Sequence, residues 1–202
     1  MLLAALVLQA AAPQTAVEAE RAFATAAQAR GQWTAFRDYA SDEAVMFVPQ
    51  ATNAQEWLKG RKDPAKSVEW WPTESYVSCS GNLAVNTGGA LWPDGSSGYF
   101  STIWAKQGDG SWKWLADHGG AVAVPRARPS RPKVVRASCA GKPEIDMGGC
   151  LSDADSTGCH AARDQSLQAR WDRKGDTVVF SVVIWTGRGW KTVFDEGAAP
   201  AK

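Results

Sequence analysis

The residues best suited to move a proton are Asp117 and His118, which close the alternating run Ser111-Trp-Lys-Trp-Leu-Ala-Asp-His118. An imidazole gives and takes a proton near neutral pH, and His118 is one of only two histidines. A carboxylate can do the same once its surroundings raise its pKa. Neighbouring strand residues point to opposite faces, so the two do not form a dyad with each other. If Trp112, Trp114 and Ala116 face the interior, His118 joins them; if Lys113 and Leu115 do, Asp117 takes that place. Tyr39 and Tyr99 are the hydroxyls available opposite such a base, with Asp38 and Asp42 as further carboxylates. The structural alternative is a polar pair that simply ends a strand.

The second chemical signal is eleven tryptophans in 202 residues. Trp33, Trp57, Trp70, Trp92, Trp104 and Trp114 are candidates to line a pocket for a flat apolar or aromatic ligand, the alternative being packing between helix and sheet. Trp70 and Trp71 are adjacent in an extended run, so only one of them can face inward. There is no Walker loop, dinucleotide fingerprint, H-E-x-x-H helix or G-x-S-x-G elbow, and no cofactor is expected. A net charge of +1 and a pI near 7.7 give no sign of a polyelectrolyte partner. The basic run Arg126, Arg128, Arg131, Lys133 and Arg136 lies among prolines and reads as a solvated linker, not a nucleic-acid surface.

These groups need elements to hold them. Residues 16–30 are Ala-rich and free of Gly and Pro, and Thr15 with Glu18 makes a capping-box pattern, so a helix is expected there, stopped by Gly31. Trp33 to Tyr39 reads as a second helix, Val45 to Val48 as a short strand closed by Pro49, and Ala54 to Lys59 as a third helix ended by Gly60. A strand over Glu69 to Ser78 must break or bulge at Pro72. Leu83 to Trp92, Tyr99 to Trp104 and Ser111 to His118 follow, separated by Pro93-Asp94-Gly95 and Gly108-Asp109-Gly110, whose Asp-Gly pairs favour antiparallel hairpins. Helices first and an antiparallel sheet afterwards give an α+β domain.

The run from Gly81 through Trp92-Pro-Asp-Gly95, Gly98-Tyr-Phe-Ser-Thr-Ile-Trp104 and Asp109-Gly-Ser-Trp-Lys-Trp-Leu-Ala-Asp-His-Gly119 resembles the end of a SnoaL-like domain of the nuclear transport factor 2-like superfamily. Within it, the group catalogued as domain of unknown function 4440 is the most similar. Glu18-Ala-Glu-Arg-Ala-Phe23 and Trp33-Thr-Ala-Phe-Arg-Asp-Tyr39 resemble the family's opening helices, so the likeness spans residues 15–120. It implies a curved sheet wrapped around helices as a cone with a pocket at its mouth. Enzymes of that superfamily, such as ketosteroid isomerases and polyketide cyclases, place an acid or base on this sheet. Many members dimerise through the outer sheet face.

Outside that span, residues 1–12 are apolar and end in small residues, as in a signal peptide, which implies a periplasmic or secreted protein; no other segment is long and apolar enough to span a bilayer. Four cysteines allow three connectivities. Cys150 with Cys159 closes a short loop of turn formers, and Cys79 with Cys139 then ties the C-terminal part to the main domain. A zinc site of Cys139, Cys150, Cys159 and His160 is the alternative, though no C-x-x-C pair supports it. Residues 121–165 read as a linker and 166–196 as a β-meander extension. In its middle strand Val178, Phe180, Val182 and Ile184 share one face and Val179, Val183 and Trp185 the other, so cover on both faces is expected. Three functions follow: binding of a small ligand in a Trp-rich pocket, acid/base isomerase, cyclase or dehydratase chemistry at His118 or Asp117, or a homodimerisation module with a filled pocket.

Overall fold

The first helix forms where it does because its N-terminal donors are satisfied locally. Thr15 Oγ1 accepts from the Glu18 amide at 3.2 Å and Glu18 Oε2 accepts from the Thr15 amide at 3.0 Å, so α1 (Ala16–Arg30) begins on a complete capping box. The computed structural model describes residues 14–141, 143, 157–174 and 177–197; the expected signal peptide and Cys150 lie outside them. Gly31 ends α1 at φ +108°, and a side chain there would collide with Asp63, whose Cβ-to-Cγ approach would be 2.2 Å. Asp63 uses that space to accept from the Thr34 amide and hydroxyl, at 2.9 and 2.6 Å, at the start of α2 (Gln32–Tyr39).

Three short elements follow, β1 (Ala40–Phe47), β2 (Ala51–Asn53) and α3 (Ala54–Leu58). The meander then runs through β3 (Glu69–Val77), β4 (Leu83–Leu91), β5 (Ser97–Lys106) and β6 (Trp112–Ala121), and β7 (Lys133–Arg136) returns to the edge. Together they form one seven-stranded sheet in the order β2-β1-β6-β5-β4-β3-β7, in which β1 lies parallel to β6 and β7 parallel to β3. The α+β reading holds. β1 is longer than the expected Val45 to Val48, beginning directly at the end of α2, and β2 was not expected. The register of β3 slips between Pro72 and Glu74, where the missing amide of proline had demanded a break.

The helices cover one face of this sheet. Phe23 of α1 packs against Phe36, Tyr39, Trp70 and Trp104, with ring centroids 4.8 to 5.9 Å apart. The other face is covered by a second sheet of β8 (Thr157–Ala161), β9 (Leu167–Lys174), β10 (Thr177–Trp185) and β11 (Trp190–Gly197), in the order β11-β10-β9-β8. Leu167, Trp171, Phe180 and Val182 are buried there with Tyr76, Val85, Ile103 and Ala116 of the first sheet. On β10 the face carrying Val178, Phe180, Val182 and Ile184 is buried, but Val179, Val183 and Trp185 are only half-buried, so full cover on both faces is not found.

The basic segment is not a solvated linker. Val134 and Val135 pair as β7 beside Ser75 and Tyr76. Arg126 bonds Glu196 and sits over Tyr99, Arg128 bonds Glu69 and sits over Trp71, and Arg136 donates to the Ser78 and Cys79 carbonyls. A Cys79–Cys139 disulfide, with Cα atoms 5.1 Å apart, fastens the end of this segment to the turn after β3. Cys159 is also disulfide-bonded, so the zinc alternative is not formed. No helix among the described residues is long and apolar enough to cross a membrane.

Candidate functional site

The parity of the last meander strand decides which proton carrier faces the helices. Trp104 of β5 lies opposite Trp114 of β6, yet Ile103 lies opposite Ala116, so Leu115 is an extra residue in the ladder. Trp112 and Trp114 therefore pack under the helices, while Leu115 and Ala116 both turn toward the second sheet. Beyond the bulge the alternation is inverted. Asp117 stands on the helix side with its register partner Thr102, and His118 stands on the other side. Neither arrangement expected from simple alternation is found: the tryptophans and Asp117 share a face.

His118 is enclosed between the sheets. Its ring stacks on Phe180 with centroids 5.7 Å apart and meets Phe47 edge-on, and Nε2 lies 3.1 Å from the Tyr99 hydroxyl. Burial lowers its pKa to about 4 and pushes the Tyr99 phenol up to about 12. The pair is thus a neutral imidazole hydrogen-bonded to a neutral phenol, a packing arrangement between two sheets. Tyr39 stacks on Phe23, and burial likewise raises its pKa.

Between the helices and the inner sheet face lies a cavity of about 240 Å³. Its aromatic walls include Phe23, Trp33, Phe36, Trp70, Trp92 and Phe100, with Phe47 reaching it from the side of the second sheet, and its polar side-chain groups on the helix side are Asp117 and Gln32. Tyr99 and His118 also contribute atoms to its wall, although their rings pack toward the second sheet. Trp92 closes over Gly98, where an added Cβ would come within 1.8 Å of the indole, so that glycine lets the ring lie against bare backbone. Of the six tryptophans expected to line a pocket, Trp33, Trp70 and Trp92 do. Trp57 instead packs edge-on against Trp33 and under Arg61, and Trp104 and Trp114 are wholly buried core. Trp71 takes the outer side, donating to the Ala127 carbonyl, as the pairing with Trp70 required.

Asp117 Oδ2 accepts from Thr102 Oγ1 at 2.7 Å, and Oδ1 has no hydrogen-bond partner among the described residues. Burial pushes this carboxyl up to about 6, against the lowering effect of the Thr102 bond. Gln32 Oε1 accepts from the Val68 amide at 3.0 Å, which fixes the orientation of the side chain and leaves its NH₂ without a partner among the described residues.

Behind Asp117 lies a carboxylate that inspection of the sequence missed. Glu20 of α1 is 0% exposed and accepts from Trp70 Nε1 at 2.9 Å, Trp104 Nε1 at 2.6 Å and Asn86 Nδ2 at 3.2 Å. Burial raises it to about 7; the three N–H bonds oppose that rise and the charge of Asp117 adds to it. The signal was present in α1, whose buried stripe Ala16, Ala19, Glu20, Phe23 and Ala27 contains one carboxylate at its centre. Glu20 orients Trp70, a cavity wall, through the indole N–H.

No protein-family model matches the chain, and no curated protein is significantly similar to it. Among solved structures the chain is similar to a "putative ketosteroid isomerase" from Parabacteroides distasonis, at 17% identity and a TM-score of 0.43, over 55% of this chain and 90% of the other. What the cavity can do chemically follows from this chain's own residues.

Proposed function

We propose that the protein is a binding module for a small apolar or aromatic ligand, held in the cavity between helices and sheet with Asp117 as its polar anchor. The observation that carries this reading is Asp117 Oδ1, without a hydrogen-bond partner among the described residues in a cavity with aromatic walls. Asp117 is half-buried, so this oxygen meets the cavity space, where a ligand donor would give it a charge-assisted hydrogen bond that no protein group supplies among the described residues. The size fits a compact molecule: about 240 Å³ exceeds the roughly 150 Å³ that holds benzene and falls short of the roughly 300 Å³ at which drug-sized pockets begin. Gln32 supplies an N–H donor to a carbonyl or hydroxyl on the same ligand.

The same residues favour a second reading, proton transfer at a carbon next to a carbonyl. A carboxyl raised to about 6 is matched to accepting a proton near neutral pH, and the Gln32 amide can donate to the oxygen on which charge develops. In this reading His118, Tyr99 and Tyr39 are not the proton carriers, because their rings are engaged in packing. The dimerisation reading required a filled pocket and a bare outer sheet face, and the first sheet's outer face is covered by the second sheet. The grouping with SnoaL-like proteins of the 4440 type, and export to the periplasm or exterior, belong to the same proposal; the Cys79–Cys139 bridge supports an oxidising compartment.

Ala90, a small buried residue of the cavity wall, provides the test. Small aromatic carbonyl compounds and phenols titrated against the wild type should change tryptophan fluorescence, and Ala90→Phe, which fills the cavity, should abolish that change with its circular dichroism intact. Equal response in both proteins refutes the cavity as the site. Exchange of the α-proton of an aromatic ketone in D₂O, lost in Asp117→Asn, would establish turnover.

A further inference from the structure

The charge of the cavity narrows its ligand. Among the described residues, every charged or titratable group near Asp117 is acidic or held neutral: Glu20 from α1 behind it, the imidazole of His118 on the far side of its own strand, and Tyr99 from β5. β1 contributes Met46 and Phe47, β3 contributes Trp70, and β5 contributes the Thr102 hydroxyl, none of them charged. No Lys or Arg among the described residues lines the cavity. Arg126, the guanidinium nearest to Tyr99, is spent on Glu196 across the other face of the sheet. Glu20 is surrounded by three N–H donors that favour its ionised form against the burial that raises it to about 7, so above that pH a negative charge stands behind the cavity with no cation among the described residues lining the cavity to balance it. The walls include the rings of Trp33, Phe36, Trp70, Trp92 and Phe100, and the π face of an aromatic ring attracts cations.

We infer that the ligand of this cavity is a small organic cation, a protonated or quaternary amine on an apolar or aromatic body, whose nitrogen lies between Asp117 Oδ1 and the indole faces. The inference rests on the reading of the cavity as a ligand site and specifies the chemical class of its ligand. A cation answers both anomalies at once, the unpartnered carboxylate oxygen and the uncompensated buried charge. A neutral aromatic ligand would answer only the apolar area.

Phenyltrimethylammonium and its uncharged isostere tert-butylbenzene test this, since they share shape and differ in charge, and the cation does not titrate. Calorimetry and tryptophan fluorescence on the full chain at pH 8 should show the cation binding at least tenfold more tightly. The preference should shrink below pH 6, where Asp117 takes a proton, and fall to near parity in Asp117→Asn. Ala90→Phe should remove binding of both, and a cation still bound by that variant would sit elsewhere on the protein and overturn the inference. Equal or tighter binding of tert-butylbenzene by the wild type would sink the cation assignment and leave the ligand cavity standing. Binding of neither probe would refute both.

Discussion

Replacing Asp117 by Asn removes a charge and keeps a shape. The Asn carbonyl can still accept from Thr102 Oγ1, now at 2.7 Å from Asp117 Oδ2, so the stability change reports the cost of ionising a carboxyl in this cavity. Its pKa rises from the ordinary 3.8 to about 6 on folding, mainly through burial. A carboxyl raised on folding holds its proton more tightly in the native state, so its contribution is fully present below pH 3.8 and is lost as pH rises through about 6. At 1.36 kcal/mol per pH unit, the wild type is penalised by about 1 kcal/mol at pH 4.5 and about 3 kcal/mol at pH 7.5, relative to a chain without this group. His118 and His160, both lowered to about 4 by burial, tilt the pH profile the opposite way, but they are common to both proteins and cancel in the difference. Glu20 does not cancel: relieved of its neighbour's charge it ionises more easily in the variant, which adds stability of the same sign at high pH. Urea unfolding followed by tryptophan fluorescence at pH 4.5, 5.5, 6.5 and 7.5 should therefore show Asp117→Asn gaining on the wild type by about 2 kcal/mol across that range. A difference that stays constant with pH, or one that moves against the variant as pH rises, would refute the claim that folding desolvates the Asp117 carboxyl.

His118→Ala should lower stability at neutral pH, because the ring serves the contact between sheets. Its depressed pKa means that the wild type loses stability as pH falls from 6.5 through about 4, so the variant's deficit should shrink on acidification by up to about 3 kcal/mol; a deficit independent of pH contradicts this. Phe180→Ala, which removes a 1% exposed ring packed on His118 and Phe47, should cost about 3–5 kcal/mol in urea unfolding, and a loss below about 1 kcal/mol would mean the second sheet is not docked as described. Opening the Cys79–Cys139 bridge by a double Ser substitution frees a loop spanned by a sequence separation of 60, which on the chain-entropy model costs about 4 kcal/mol. Unchanged thermal unfolding of that double variant would show that the segment from β6 to β7 is held by its ion pairs and strand pairing alone.

Elements whose signals are local were legible. The capping box set the start of α1 and Gly31 its end, with the observed limits Ala16–Arg30 matching the reading, and the Asp-Gly turns placed β4, β5 and β6 to within a few residues. Short strands whose partners lie far away were not legible. β7 hides two valines between prolines and arginines, and its existence depends on the exposed edge of β3 about sixty residues earlier, as the pairing of Ser75 with Val134 records. The candidate site divides in the same way. The tryptophans could be named as pocket material, but whether an indole lines a cavity or fills the core depends on what packs above it: Trp33, Trp70 and Trp92 border space and Trp104 and Trp114 do not. Glu20 sat in the apolar stripe of a helix, and only the approach of Trp70, Trp104 and Asn86 from three strands of the sheet turned it into part of the site.

The amino-acid sequence by itself determined the α+β order, the meander, the supply of aromatic walls and the two adjacent proton carriers, because helix caps, turn residues and alternation act over a few neighbouring positions. Which of Asp117 and His118 meets the cavity was decided only by tertiary structure. Alternation counts residues along one strand, whereas facing is set by hydrogen bonds to the next strand, and opposite Ile103 and Trp104 the chain spends three residues, Trp114 to Ala116, where two would keep step. That one unpaired residue, Leu115, puts the carboxylate under the tryptophans and the imidazole between the sheets.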